Sequence, residues 1–342
     1  YMHTFYKKAL FSLFTTVIFI PHTSFGQGFF SPQNASNEYS SFGIGGGSTH
    51  YIGDLTPIRY IYYTPYTNVR WNGQLNYTRY VAPQLGFRAA FTWARIAGDD
   101  FTFAQRNPSG MTNSLIRNLH FRNDIKEFTI QAILNLKPQY NKGIAGRSTW
   151  MPYLATGIGF IAHNPQARGP VDASTGAITN WVNLRSLSTE GQNLPGIDTP
   201  TYSLVQLVAP LSLGIRYKAT DNLDIAFEAG IRISTTDHLD DVSGRPFVDP
   251  TIIEANRGAL ARDVAYRSTE QFHALSGQDR TGIVLAATGV SNLASLANVY
   301  GFNKGSQRGS NARFYHKIDM YMVTQLTLSY VIGHSIKCPP VL

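Results

Sequence analysis

One short stretch concentrates residues that could do chemistry: the acidic motif Asp237-His238-Leu239-Asp240-Asp241. An aspartate beside a histidine could act in acid–base catalysis, and three carboxylates could bind Ca²⁺. The spacing lacks the EF-hand pattern, and the sequence offers no identifiable partner nucleophile or second carboxylate pair. We therefore interpret Asp237, Asp240 and Asp241 as a structural acidic rim that caps backbone N–H groups and pairs with arginines. No catalytic, cofactor-binding or metal-binding residue is assigned, and we predict that the protein is not an enzyme.

The elements that position this motif are two segments of alternating character. Residues 211–218 and 223–234 place apolar residues at nearly every odd position, and an Ala-Thr-Asp-Asn turn separates them. Period-two alternation of this length predicts a β-hairpin with one apolar and one polar face. The polar face carries Glu228 and Arg232 in mid-strand. This pattern is typical of membrane β-barrels, in which lipid contacts the apolar face and the polar face lines a lumen.

The same alternation recurs along the chain and predicts eight strands, at residues 39–51, 70–81, 85–97, 122–137, 150–162, 211–218, 223–234 and 315–332. The connections after the second, fourth and sixth strands are short, and the others are long. Outer-membrane barrels alternate short periplasmic turns with long extracellular loops in this way. The sequence therefore predicts an all-β fold, an eight-stranded antiparallel up-and-down transmembrane β-barrel with long extracellular loops.

The last loop, at about residues 236–314, is the longest. It is predicted to contain a helix at residues 251–267, with Asp249 at the N-cap and Pro250 at the first helical position. Residues 281–288 could add a further strand.

An eight-stranded barrel leaves room inside only for side chains. Charged residues on the inward faces are expected to pair with one another, because an unpaired buried charge is costly. We expect Glu228 to pair with Arg232, and we expect a closed scaffold rather than a diffusion pore. The predicted lumen network consists of Arg88, Glu127, Arg216, Glu228 and Arg232.

The N-terminus and the composition indicate export. Lys7 and Lys8 precede a short apolar run, and a small-x-small site precedes Gln27, so residues 1–26 are predicted to be a signal peptide. Residues 27–342 would form one barrel domain in the outer membrane of a Gram-negative cell, in contact with its lipids. The formal charge of +8 falls to +6 without these two lysines, and the basic residues are scattered, which argues against nucleic-acid binding. No small-molecule substrate is evident.

Three motifs resemble elements of a known family. Residues 51–55 (Tyr-Ile-Gly-Asp-Leu) are similar to its YxGDL element, and residues 189–192 to its TEGQ element. Residues 236–243 are similar to its TDYLDDVS element, with His238 in place of the usual tyrosine. Together they resemble PorG-like outer-membrane proteins of the type IX secretion system, over essentially the whole mature chain. The resemblance implies a non-enzymatic barrel that contacts the periplasmic ring made by the lipoprotein PorK and its partner PorN.

Such a ring could touch only the periplasmic surface. The candidate partner contacts there are Lys142 and Arg147, in the turn at residues 138–149, and Lys337 in the C-terminal tail. Other functions that the sequence leaves open are a surface-loop adhesin or binding barrel, a small-solute outer-membrane channel and a hydrolase at the rim.

Overall fold

The computed structural model describes residues 38–56, 68–137, 144–172, 175–309 and 318–332. Eight long antiparallel strands pair in chain order, and the pairing of the first with the last closes them into a barrel. A small hairpin of two three-residue strands continues from the start of β4. The barrel strands are β1 (Tyr39–Ile52), β2 (Arg70–Tyr80), β3 (Leu85–Asp99), β4 (His120–Asn135), β5 (Trp150–Ala162), β8 (Val205–Lys218), β9 (Leu223–Ser234) and β10 (Met320–Ile332), and the hairpin strands are β6 (Gln166–Arg168) and β7 (Trp181–Asn183).

The closed eight-stranded antiparallel barrel confirms the predicted fold class. β5 and β9 have the predicted bounds, whereas β8 begins at Val205, earlier than predicted. Pro210 lies inside β8, opposite Arg232 in the strand register. The predicted start of the last strand, at residue 315, lies outside the described residues.

The two faces of the barrel wall differ as the alternation predicts. On β3, Phe87, Phe91 and Trp93 point outward and are 44–48% exposed, whereas Arg88 and Thr92 are buried inside. The other barrel strands repeat this arrangement, so a band of large apolar side chains surrounds the outside and polar side chains fill the inside. A soluble protein rarely exposes so large a continuous apolar surface.

The barrel has two unlike ends. We call one the turn end, where the short connections at residues 81–84 and 219–222 lie and where β4 ends and β5 begins. The opposite loop end carries the connections that follow β1, β3, β5 and β9. In the described part of the chain these loops contain short 3-10 helices, at Leu293–Asn298 and Phe302–Lys304 among others, and five α-helices: α1 (Asp100–Ala104), α2 (Thr112–Arg117), α3 (Pro250–Arg257), α4 (Ala259–Ala265) and α5 (Thr281–Thr288).

Two predictions for the longest loop need correction. The predicted helix at residues 251–267 is two helices, because Gly258 between them has a φ of +85° that only glycine adopts readily. Asp249 does cap α3, accepting from the N–H of Thr251 at 2.9 Å. Residues 281–288 form α5 rather than a ninth barrel strand.

The helix α5 packs against other loop elements through one buried residue, Val284. Val284 on α5 packs with Phe101, Leu115 and Leu296 in a hydrophobic core that lies outside the barrel wall. Among the described residues, no single helix has the length and apolar composition to cross a membrane, although the bent pair Thr281–Thr288 and Leu293–Lys304 meets both criteria together.

Candidate functional site

Two ion pairs cross the middle of the lumen. Arg88 Nη1 lies 2.8 Å from Glu228 Oε2, and Arg232 Nε lies 3.3 Å from Glu127 Oε1. Tyr153 also donates to Glu228 at 2.9 Å. Glu228 therefore has both a cationic and a neutral donor, and Glu127 has a cation nearby. Buried charges require such partners.

The expected pairing of Glu228 with Arg232 is wrong. Both residues lie on β9, four positions apart, and four residues of a strand span about 13 Å. The partner of Glu228 instead reaches across from β3, and the partner of Arg232 from β4. Cross-lumen contacts depend on strand register and on the barrel diameter, which alternation within one strand does not specify.

A third charged layer closes the lumen at the turn end. Asp224 Oδ2 lies 2.5 Å from Arg147 Nη1 and 3.7 Å from Arg216 Nε. Arg216 also donates to the hydroxyl of Tyr80, and Arg147 lies over the ring of Tyr39. All five predicted lumen residues are thus buried inside the barrel, and Asp224 joins them. Asp224 has the same signal as Glu228, because it occupies an even position on the polar face of β9.

The placement of Arg147 contradicts its prediction as a partner contact. Its side chain is only 3% exposed, because its guanidinium group is paired with the buried Asp224. Lys142 and Lys337 lie outside the described residues.

Little space remains in this part of the lumen. A cavity of about 30 Å³ lies between the layers of Arg88 and Arg216. A cavity of this size holds only a few water molecules. The side chains therefore leave little open space between these two layers.

The acidic motif lies beneath the loops and not on an open rim. Asp240 and Asp241 are at most 1% exposed, whereas Asp237 is half-buried. Asp240 accepts from the backbone N–H of Val242 at 2.9 Å. Asp241 accepts from Tyr202 Oη at 2.6 Å and from Thr189. Asp240 thus caps a backbone N–H group, and Asp241 lies 3.7 Å from Arg308 Nη2, but both carboxylates do so from a buried position.

The three sequence motifs meet at this point. Glu190 of the second motif accepts from the backbone N–H and the hydroxyl of Ser243 in the third, at 2.8 and 2.6 Å. Tyr51 of the first motif donates to Asp319 at 2.5 Å, and Asp319 also accepts from the N–H of Leu239 at 2.7 Å. We call this cluster the polar junction; its members are Tyr51, Asp54, Thr189, Glu190, Tyr202, His238, Asp240, Asp241, Ser243, Arg308 and Asp319.

Two buried arginines extend the polar junction across the loops. Arg308 Nη1 lies 3.4 Å from Glu190 and donates to the carbonyl of Asp241. Arg117 donates to the carbonyls of Asp54 and Arg308 at 2.9 and 2.8 Å. It also pairs with Asp100 at 2.7 Å. One continuous network therefore joins all four long loops. Sequence reasoning missed Arg308 and Arg117, because both lie in loops without periodicity.

Burial and neighbouring charges set the ionisation of the polar junction. Burial raises the pKa of Asp240, and the nearby Asp319 and Asp54 raise it further. Burial likewise raises the pKa of Asp319. Burial would also raise the pKa of Glu190, but the hydrogen bond with His238 and the charge of Arg308 hold it below its usual range. Glu190 therefore favours its charged form, whereas the pKa values of Asp240 and Asp319 lie above their usual range.

The hydrogen bonds and ion pairs of this arrangement hold the loops together. The junction carboxylates are engaged by donors from the same chain, whereas a catalytic acid needs to face a substrate cleft. In the described ranges, no three histidine, cysteine, aspartate or glutamate side chains are arranged to hold a metal ion.

Comparisons with known proteins give one family match and several similar structures. Residues 27–169 match the family described as Domain of unknown function (DUF6089). No curated protein sequence matches the chain.

Among solved structures, Ail, the attachment invasion locus protein of Yersinia pestis, is 8% identical with a TM-score of 0.34, over 86% of this chain and 99% of that one. The outer membrane protein OprG from Pseudomonas aeruginosa is 8% identical with a TM-score of 0.32, over 88% and 98%. A major outer membrane protein from Thermus thermophilus is 13% identical with a TM-score of 0.29, over 86% and 99%. The fold assignment itself rests on the closed strand order of this chain.

Proposed function

We propose that this protein is a non-enzymatic scaffold of the cell outer membrane, anchored by a closed barrel and capped by packed loops. The observation that carries the proposal is the filled lumen: three charged layers occupy the interior where a channel would need open space. The apolar outer band supports the membrane location, because lipid is the solvent that such a surface fits.

For its biological role, we propose a PorG-like component of the type IX secretion system that contacts a periplasmic ring of PorK- and PorN-like proteins. The support is that the three motifs carrying the resemblance form one physical unit, the polar junction. The three motifs are far apart in the sequence but are hydrogen-bonded within one cluster. Three unrelated segments that resembled the family by chance would not be expected to come together in this way.

The proposed partner surface is the turn end, which would face the periplasm. Because Arg147 is buried in the lumen and paired with Asp224, the charged contacts proposed there are Lys142 and Lys337. The exposed pair of Arg79 and Glu38, 2.5 Å apart, lies at the same end and adds polar surface.

The test is co-purification of the ring proteins from native membranes. A variant that carries Lys142→Glu and lacks residues 337–342 should lose the ring proteins at an unchanged barrel level. The matched control is Lys304→Glu, which reverses an exposed charge in a loop at the opposite end and should retain them. Full co-purification with the first variant would place the contact elsewhere or reject the scaffold role.

A surface-binding barrel is the second candidate, favoured by the size and internal order of the loop cap. The loops have hydrophobic cores of their own, as a displayed recognition surface requires. Loss of binding to an extracellular ligand on deletion of α3 and α4, with the ring proteins still co-purifying, would support this role.

A further inference from the structure

Four arginines from four different strands line one cavity at the loop end of the barrel wall. The cavity has a volume of about 440 Å³ and is lined by Arg70, Arg95, Arg122 and Arg168. All four side chains are half-buried. This volume lies within the range of small-molecule sites, roughly 300–1,000 Å³, and exceeds the need of a lone inorganic anion. We call it the arginine cavity.

Two tryptophans hold the guanidinium groups in place. Arg122 and Arg168 lie 4.2 and 5.0 Å from the ring centre of Trp181, and Arg95 lies 5.8 Å from that of Trp71. Stacking on a tryptophan face orders an arginine without using its N–H donors. The donors therefore remain available to a ligand that enters the cavity.

The positive charge of the arginine cavity is only partly neutralised. Arg95 is paired with Asp124 at 2.5 Å, but within the described residues Arg70, Arg122 and Arg168 have no carboxylate at ion-pairing distance. Asp99, which also lines the cavity, caps α1 and contacts His273 at 3.0 Å.

In the part of the chain that the structure describes, the hydrogen bonds of Arg70, Arg122 and Arg168 leave some of their N–H donors unused. Arg70 donates to the carbonyl of Val69 at 2.8 Å, Arg122 to Gln166 at 3.1 Å and Arg168 to the carbonyl of Thr179 at 2.5 Å. A guanidinium has five N–H donors. Half-buried arginines with spare donors and no counter-ion are matched to an oxyanion, above all to phosphate, which they bind in a bidentate fashion.

The position of the arginine cavity relative to the membrane–water interface indicates which kind of phosphate group could bind there. Trp71 and Trp93 contact each other edge to face at 5.3 Å, and both point outward. Tryptophans in this position mark the membrane–water interface of a barrel. Arg95 lies two residues beyond Trp93, about 7 Å nearer the loops. This level corresponds to lipid headgroups, if the barrel has the membrane location proposed above.

We propose that the arginine cavity binds the phosphorylated sugar headgroup of a glycolipid in the surrounding leaflet. Arg122 and Arg168 donate hydrogen bonds to the phosphate, and Arg70 is a further donor. Asn68, Thr102 and Ser276, which also line the cavity, offer amide and hydroxyl groups to the sugar. The site lies at the opposite end from the proposed partner surface, so its failure would leave the proposal for the ring untouched.

The test uses the full chain in lipid nanodiscs and three probes: diphosphoryl lipid A, its dephosphorylated form and the soluble sugar glucose 1,6-bisphosphate. The wild type should retain diphosphoryl lipid A by native mass spectrometry and release the dephosphorylated form. Arg122→Gln with Arg168→Gln should weaken retention roughly tenfold or more, since each charge-assisted hydrogen bond contributes that order. The matched control, Arg257→Gln with Arg262→Gln, removes two arginines from α3 and α4 and should behave as wild type.

A second variant protects the test against a folding defect. Arg70→Gln removes a side chain whose described bond is to its neighbouring carbonyl, so the barrel should fold and still lose part of its lipid retention. Equal retention by wild type and both cavity variants would overturn the site. Equally tight, arginine-dependent binding of the soluble bisphosphate would overturn the lipid source.

Discussion

At the scale of single residues, the pair of Arg88 and Glu228 decides how well the lumen holds together. Both side chains are at most 6% exposed, and Glu228 also binds Tyr153. Removing one member of a buried pair leaves the other charged and unsatisfied. Glu228→Leu should therefore lower the free energy of unfolding by roughly 3–5 kcal/mol. The measurement is urea unfolding in detergent micelles, followed by heat-modifiable gel migration.

An exposed ion pair in the same protein provides a matched control for the buried pair. Glu254 and Arg262 lie 2.6 Å apart, but their side chains are 41% and 37% exposed. Glu254→Leu should therefore change stability by only about 0–1 kcal/mol. Adding Arg88→Met to Glu228→Leu should recover most of the loss, because apolar replacement of a whole buried pair is often neutral. Similar losses for Glu228→Leu and Glu254→Leu would contradict the buried pair.

Residue by residue, the sequence specified which side chains point inward but not which of them meet. Parity along a strand placed Arg88 and Glu228 in the lumen, because side chains alternate faces with a period of two. It could not identify their contact, which depends on the positions of β3 and β9 across the barrel. Arg147 shows the converse limit: a turn has no parity, so its inward direction had no sequence signal.

At the scale of elements, α3 and α4 depend on the backbone at Gly258. Its φ of +85° and ψ of 171° lie in a region that is essentially restricted to glycine. Gly258→Ala should therefore destabilise the two helices by about 1–3 kcal/mol. Gly282→Ala, in α5, is the control: a Cβ there meets no atom within 4 Å, and alanine favours a helix. Faster amide hydrogen exchange in α3 and α4 should follow only the first change, and unchanged exchange would reject the strained hinge.

Elements were predictable where one physical rule dominated. The barrel strands alternate cleanly because lipid and lumen impose opposite polarity on neighbouring residues. In the loops, the apolar residues 281–288 fit a strand or a helix equally well. Packing of Val284 against Phe101 and Leu115 from another loop decides for a helix, and this tertiary contact is invisible in local sequence.

At the scale of the whole molecule, the protein has two buried polar regions, one inside the barrel and one among the loops at its loop end. The barrel holds charged layers, and the polar junction above it ties the loops together. The three motifs were visible in the sequence as separate segments, but their meeting point was not. Their contacts join residues as far apart as Tyr51 and Asp319. Long-range contacts of this kind follow from barrel closure, which brings β1 beside β10.

The filled lumen leads to the prediction for the whole molecule. Purified protein reconstituted in planar bilayers should show no stable open channel, because charged layers at three levels obstruct the interior. Arg147→Ala should remain closed as well, since it removes only the layer at the turn end and leaves the pairs of Arg88 and Arg232 intact. A reconstituted porin gives the positive control. A large steady conductance of the wild type would contradict the closed scaffold, whereas conductance of Arg147→Ala alone would show that the turn-end layer is the only effective barrier.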